Sequence, residues 1–437
     1  MSQGLIHDPK HETLSRAELE QLQLERLQST LNRVYRNVAF YRSAFDAEKV
    51  NLERVKDLRA LADLPFTTRE DLRGSYPYDM FAVPLKEIVR LHSASVSARE
   101  PIVVGYTRND LRNWTDCAAR ILAAAGVTDH DVVQIALDYS LFAGGFGFHH
   151  GAEQIGASVI PASLTAGVEK QIAIMRDFKT TALITTPGHA ARMAAGLEDM
   201  HVHPEQLRLR LGLFGGERWG DVLRRDLEAR LRIRATETYG LSEMIGPGAA
   251  GECEARRGMH INEDHFLVEV VDPKTLQPVE PGARGELVFT TITREGFPLI
   301  RYRTGDITSL DFSPCSCGRV FARMARVRGR TDQAVLFRGA IFHPSQVEAV
   351  LAEVEGATPH FQIVLGRLRG EETLEVRVEV SDQIPSMDEL RVLGKLRERI
   401  AAQLRDVLEV DAAVKFMEPR SLRHILGDKD RVLDQRT

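Results

Sequence analysis

The stretch VVQIALDYSLFAGGFGFHHGAEQIGASVIPAS, Val132 to Ser163, decides the fold. It opens on a short apolar run, VVQIAL, and closes on another, ASVIPA, with a glycine-kinked helix start between them. Buried strands read as short continuous apolar runs, and strands that alternate with helical stretches belong to parallel sheets. The alternation extends on both sides, from about Val89 to Val288. TALITT, LRLGLF and ELVFTT are strand-like, whereas DLRNWTDCAARILAAAG and RWGDVLRRDLEARL are amphipathic and helical. An α/β fold of layered, mostly parallel sheets is expected.

Upstream, Ser15 and Glu18 make a capping box, with Leu14 and Leu19 spaced as a hydrophobic staple. Leu27, Leu31, Val34 and Val38 follow at helical spacing, so this helix is core-facing scaffold. After Gly329 the pattern changes. VLFRG, FQIVLG, LEVRVEV and VKFMEP read as strands, interleaved with helices at about Pro344 to Val354 and Met387 to Leu408. At 437 residues the chain exceeds what one core supports. We expect a large domain at 1–331 and a small α+β lid at 332–437.

The composition is that of a globular enzyme: 43% apolar and 27% charged residues, with a net charge of -5. That balance argues against nucleic acid as a partner. No apolar run approaches the ~20 residues that span a bilayer, which argues against a membrane partner. Four cysteines are too few for the disulfide framework of a secreted protein, so a cytoplasmic location is expected.

Several blocks follow in order: YRNVAFYR, LPFTTREDLRGSYPYDMFAVP, VVGYTRNDL, FGGERW, ETYGLSEMIGPGAAGEC, MHINEDHF, GELVFTTITREGFPLIRYRTGDI, CSCGR, GRTDQAVLFRGAIFHPSQVEAVL and MEPRSL. In these blocks, from residue 35 almost to the end, the chain resembles the phenylacetate-CoA ligases of the adenylate-forming superfamily. A carboxylate does not accept a thiolate directly, so it must first become a better electrophile. The resemblance implies two steps: ATP and an aromatic acid give acyl-AMP and pyrophosphate, then the CoA thiol displaces AMP.

The resemblance also implies residue roles. Gly215, Gly216 and Glu217 form the adenine-binding turn. Tyr239 stacks on adenine within Tyr239-Gly240-Leu241-Ser242-Glu243, whose carboxylate, Glu243, holds Mg²⁺. Asp306 accepts hydrogen bonds from the ribose hydroxyls and Arg330 adds a second ribose contact. Asp332 is the hinge about which the small domain turns. Tyr139, Phe142 and Phe146 wall the acid, where Gly144, Gly145 and Gly147 leave room for a flat ring. His149 and His150 are read as structural.

Two places depart from the family pattern. Its phosphate loop is rich in Ser, Thr and Gly and ends in Gly-Lys-Pro, because backbone N–H groups and a cation must meet the phosphates. Here the run is Ser95-Val96-Ser97-Ala98-Arg99-Glu100-Pro101, with an anion, Glu100, at the lysine position. Near the C-terminus Asp428 follows Gly427, and Lys429 comes one residue later than the family's catalytic lysine. Lys429, with Ser95, Ser97 and Arg99 in the loop, would serve ATP. The alternatives are an ATP-independent acyltransferase that uses a preformed aryl-CoA, and a pseudoenzyme that only binds nucleotide or CoA. A carrier-protein thiol could replace CoA as acceptor, and a homodimer is compatible with the sequence.

Cys253, His260, Cys315 and Cys317 make a Cys-x₆-His plus Cys-x-Cys set. If the two segments meet, a Cys₃His shell is a closed, structural zinc site. The other reading is reduced cysteines beside a loop histidine.

Overall fold

The computed structural model describes residues 5–94, 102–140, 144–217, 219–331, 335–354, 357–368, 370–380, 389–418, 421–422 and 431–436. Its main feature is a nine-stranded sheet. Five strands are parallel, in the spatial order Ser158–Pro161, Val132–Ala136, Ala182–Thr185, Leu211–Phe214 and Arg234–Tyr239. The helices that return the chain between them include Phe146–Ile155, Pro187–Asp199 and Asp221–Leu231. Beyond Arg234–Tyr239 the sheet continues antiparallel through Ala250–Glu252, Met259–Ile261, Arg323–Met324 and Leu310–Asp311. A second, antiparallel sheet joins Phe266–Val271, Gly285–Thr291, Tyr302–Thr308 and Gly329–Arg330. The parallel ladder legible in the sequence is therefore one half of the main sheet, and the antiparallel half carries the residues nearest the chain's second sheet.

Local chemistry explains the packing. Helix Arg108–Ala125 begins in a capping box of Thr107 and Asp110 and ends on Gly126 in the left-handed region. It lies against Phe146–Ile155 so closely that a Cβ on Gly151 would run into the backbone of Ala118 and Ala119. The N-terminal helix Arg16–Asn37 starts in the expected Ser15–Glu18 capping box and buries Leu19, Leu27, Leu31 and Val34. Arg16 and Gln23 tie it to Glu263, at 2.8 Å from a carboxylate oxygen and 2.8 Å from the backbone carbonyl.

Residues 335–436 have a core of their own, in which Phe337, Val347, Ile363, Val376, Ile400 and Leu404 are all buried. It is held between the sheet Ala413–Met417, Glu371–Val380, Ala357–Leu368, Val432–Asp434 and the helices Pro344–Glu353 and Glu389–Leu408. Each such side chain contributes about 1.5–3 kcal/mol of burial free energy, largely offset by chain entropy. No described helix is long and apolar enough to cross a membrane.

Candidate functional site

A cluster of polar side chains forms where the two sheets meet. Tyr239 is the last residue of its strand, and Asp306 sits opposite Arg330 in the antiparallel register of the second sheet. The Tyr239 hydroxyl donates to Asp306 Oδ2 at 2.7 Å, and Arg330 Nη1 donates to Oδ1 at 2.7 Å. Arg330 Nη2 reaches the Thr304 carbonyl at 2.9 Å, which fixes the guanidinium plane. Burial, and then the Asp306 charge, push the Tyr239 hydroxyl well above the usual phenol range, so it remains a donor. Glu243, also buried, accepts from the Tyr302 hydroxyl at 2.6 Å and lies 3.7 Å from Arg69.

The turn after Leu211–Phe214 lies beside this cluster. Gly216 has φ +77, and a Cβ on Gly215 would strike Thr238, so both positions need glycine. Gly240 is equally confined, since a Cβ there would enter the Gly246 carbonyl. Glu217 is turned inward and accepts from the Gly188 N–H at 2.9 Å.

A cluster of aromatic side chains lies around Phe146. Tyr139 and Phe146 meet edge to face at 5.3 Å, Phe146 lies 5.7 Å from His92, and Arg90 stacks on Phe146 at 5.2 Å. Trp114 borders the cluster: a Cβ on Gly147 would collide with its indole, and its Nε1 donates to the Pro247 carbonyl at 2.6 Å. Gly147→Ala is therefore expected to destabilise the chain by about 1–3 kcal/mol through overpacking. Thermal melting measures the effect, and an unchanged melting temperature would mean that the indole has room to shift. His149 and His150, read from the sequence as structural, both reach Glu153, at 3.2 and 3.3 Å.

The small C-terminal unit rests on helix Pro187–Asp199. Gly370 sits over Ala191, and strand Glu371–Val380 packs on that helix. Arg338 Nη2 donates to the Glu372 carbonyl at 2.9 Å, and Arg436 pairs with the Glu372 carboxylate at 3.1 Å. Burial, with the Glu372 charge from across the interface, pushes Glu217 up to about 7, against the Gly188 and Thr186 hydrogen bonds and the Arg192 charge. A raised carboxylate stabilises the fold at low pH, and that contribution is lost as pH rises through about 7. Glu372→Gln is expected to lower the Glu217 pKa and to flatten the fall in melting temperature between pH 5 and about 7. An unaltered pH profile in the variant would rule out this coupling.

The Cys-x₆-His and Cys-x-Cys segments do meet. One ligand atom from each of Cys253, His260, Cys315 and Cys317 lies within 4.8 Å of the others. The Cys253 and Cys315 sulfurs are 3.8 Å apart, which is the edge of a tetrahedron with Zn–S bonds of about 2.3 Å. Cys317 Sγ lies 3.3 Å from His260 Nε2, while His260 Nδ1 is 3.0 Å from the Phe321 carbonyl. That carbonyl selects the tautomer that leaves Nε2 with a lone pair for a metal.

Residues 103–293 match the AMP-binding enzyme family model, and residues 339–436 match the AMP-binding enzyme C-terminal domain. The phenylacetate-coenzyme A ligase of Thermus thermophilus is 41% identical over 447 residues, covering 99% of this chain and 100% of the relative. The chain belongs to the phenylacetate-CoA ligase family. The phenylacetate-coenzyme A ligase of Escherichia coli, 40% identical over 430 residues, covers 97% of each chain. Among solved structures, 2-hydroxyisobutyryl-CoA ligase with 2-HIB-AMP and CoA in the thioesterification state superimposes with a TM-score of 0.90. It is 27% identical and covers 98% of this chain and 92% of its own. The same ligase in its postadenylation state, at equal coverage, gives 0.71.

Of the residues that the phenylacetate-CoA ligase resemblance singled out, the fold brings Tyr239, Asp306 and Arg330 into direct contact. Gly215 packs against Thr238 beside Tyr239, Glu243 is bound by Tyr302, Glu217 turns instead to Gly188, and Tyr139, Phe146 and Gly147 belong to the aromatic cluster. Ser95, Val96, Ser97, Arg99, Glu100, Phe142, Asp332, Asp428 and Lys429 lie outside the described residues. Sequence reasoning missed Arg69 and Tyr302 on Glu243, Trp114 beside the aromatic cluster and Glu372 across the interface. Arg69 and Tyr302 stand inside blocks that were already singled out, and membership of those blocks was the signal available.

Proposed function

We propose that this chain activates an aromatic carboxylic acid of the phenylacetate type with ATP and hands the acyl group to CoA. The observation that carries the reading is Asp306, a buried carboxylate held between Tyr239 and Arg330 beside a glycine turn, as the ribose of an adenylate requires. In the first step the acid's carboxylate oxygen attacks the α-phosphorus and pyrophosphate leaves. In the second, the CoA thiolate attacks the acyl carbonyl and AMP leaves. Tyr239 and the Gly215–Glu217 turn hold the adenine, Asp306 and Arg330 the ribose, and the Tyr139–Phe146 cluster excludes water from the ring.

Glu243 would hold a Mg²⁺, which supplies charge neutralisation at the phosphates. The buried carboxylate fits that use, and Tyr302 and Arg69 orient it. Lys429, with Arg99 in second place, would offset charge on the reacting carboxylate. We place the boundary between a large domain and a lid at residues 331 and 332, with Asp332 the hinge. The higher similarity to a thioesterification-state neighbour supports reading the present arrangement as the one for CoA attack. The cysteine cluster fits a structural Zn²⁺ bound by Cys253, His260, Cys315 and Cys317. A cytoplasmic location agrees with the need for ATP and CoA.

Family membership weighs against the ATP-independent alternatives. The test is acid-dependent ATP–pyrophosphate exchange, followed by thioester formation with CoA, over a panel of aromatic acids. Exchange and thioester with a phenylacetate-like acid are expected. Absence of exchange with every acid would overturn the reading.

A further inference from the structure

A second cleft, of about 340 Å³, opens on the antiparallel half of the main sheet. Its floor is formed by strands Ala250–Glu252, Met259–Ile261, Arg323–Met324 and Leu310–Asp311, and its walls by the first turn of Asp221–Leu231 and the segment that leads to Arg330. Six guanidinium groups line it: Arg224, Arg256, Arg257, Arg323, Arg326 and Arg328.

Only three carboxylates face them, and each is already engaged. Asp221 pairs with Arg326, Glu252 with Arg224 and Asp311 with Arg323, all at 2.7 Å. Arg256 turns to Glu228, which does not line the cleft. Arg257 and Arg328 are exposed and have no ion pair among the described residues. The cleft therefore carries an excess of positive charge in a chain whose net charge is -5.

The arrangement is also held in place. The indole of Trp219 braces Arg224 at 4.9 Å and Arg326 at 5.5 Å, so two of the charges are fixed before any ligand arrives. Arg326 also pairs with Glu237 at 2.7 Å, two residues before Tyr239 on the same strand. The Arg328 N–H bonds to the Ile307 carbonyl at 2.9 Å, next to Asp306. The cleft thus borders the proposed nucleotide site without sharing its ribose-facing residues. Guanidinium groups are matched in geometry to phosphate oxygens, and several together favour a group with more than one negative charge.

We propose that this cleft binds the multiply charged phosphate group of a small molecule. The 3′-phospho-ADP end of CoA and a free phosphorylated compound are its two sources, and the first rests on the ligase function proposed above. The test titrates the full chain calorimetrically with CoA, 3′-dephospho-CoA and inorganic pyrophosphate, beside the double variant Arg257→Glu/Arg328→Glu. Both positions are exposed, so the variant should melt like the parent, and Arg257→Lys/Arg328→Lys should restore binding.

A tenfold or greater loss of affinity in the charge-reversed variant is expected for at least one ligand. Loss confined to CoA identifies the cosubstrate's phosphorylated end, and equal loss for CoA and pyrophosphate identifies a general phosphate site. Three parent-like affinities in the variant, or no binding by the parent, would overturn the proposal. If the parent still makes thioester while the variant keeps the parental KM for CoA, only the cleft assignment fails. If the parent makes no thioester, the ligase reading fails instead.

Discussion

Asp306→Ala is expected to slow acid-dependent ATP–pyrophosphate exchange by about 10²–10⁴-fold. Charge-assisted hydrogen bonds are worth about 1.5–3 kcal/mol each, and this carboxylate would give up two to the ribose. Every 1.4 kcal/mol is tenfold. The loss extends to the apoprotein, because Arg330 and Tyr239 both direct their donors at Asp306 and are largely buried. Removing one partner of a buried pair leaves the other charge without compensation, at a cost of about 3–5 kcal/mol. Asp306→Asn keeps an acceptor and should fall between the two. Exchange rates at saturating and limiting ATP, beside AMP affinity by calorimetry, separate nucleotide binding from global damage. Parent-like AMP affinity in Asp306→Ala would remove this carboxylate from the nucleotide site.

On the proposed zinc assignment, Cys317→Ser is expected to lose a stoichiometric metal and to destabilise the chain by less than the ~10–16 kcal/mol found where zinc folds a peptide that is otherwise unstructured, because the strands around this site also have a packed core. The four ligand atoms lie within 4.8 Å of one another, so an ion would not need to gather them from afar. Removing one sulfur leaves an incomplete shell. Cys117→Ser is the control: that thiol is buried inside helix Arg108–Ala125, away from the cluster, and should keep the metal. Elemental analysis of the purified protein and melting with and without a chelator read the outcome. Metal-free protein with the same melting temperature would make these ordinary reduced cysteines.

The fold was legible in the sequence wherever a local pattern carried it. The Ser15–Glu18 cap and the VVQIAL and TALITT strands depend on neighbours in the chain, and all appear where expected. The antiparallel half of the main sheet was harder to see, because strands such as Ala250–Glu252 and Met259–Ile261 are three residues long and have no period to detect. Tyr239, Asp306 and Arg330 were legible as a set through the family resemblance. What holds that set was not: the Tyr302 bond to Glu243 spans 59 positions and the Trp114 bond to Pro247 spans 133. Sequence spacing gives no sign of contacts made only after the sheets assemble. The Glu217–Glu372 opposition is more remote still, since it exists only when the small unit rests on helix Pro187–Asp199.

Trp114 touches two things at once. Its ring borders the aromatic cluster at Gly147, while its N–H holds Pro247, in the loop that leaves Tyr239. On the proposed placement of acid and adenine, an acid too bulky for the aromatic cluster would tilt that ring and loosen the loop that leaves Tyr239. Misfit at one end of the reactants would thereby be reported at the other, so a poor acid would be rejected as a slow adenylation and not merely as a weak binder.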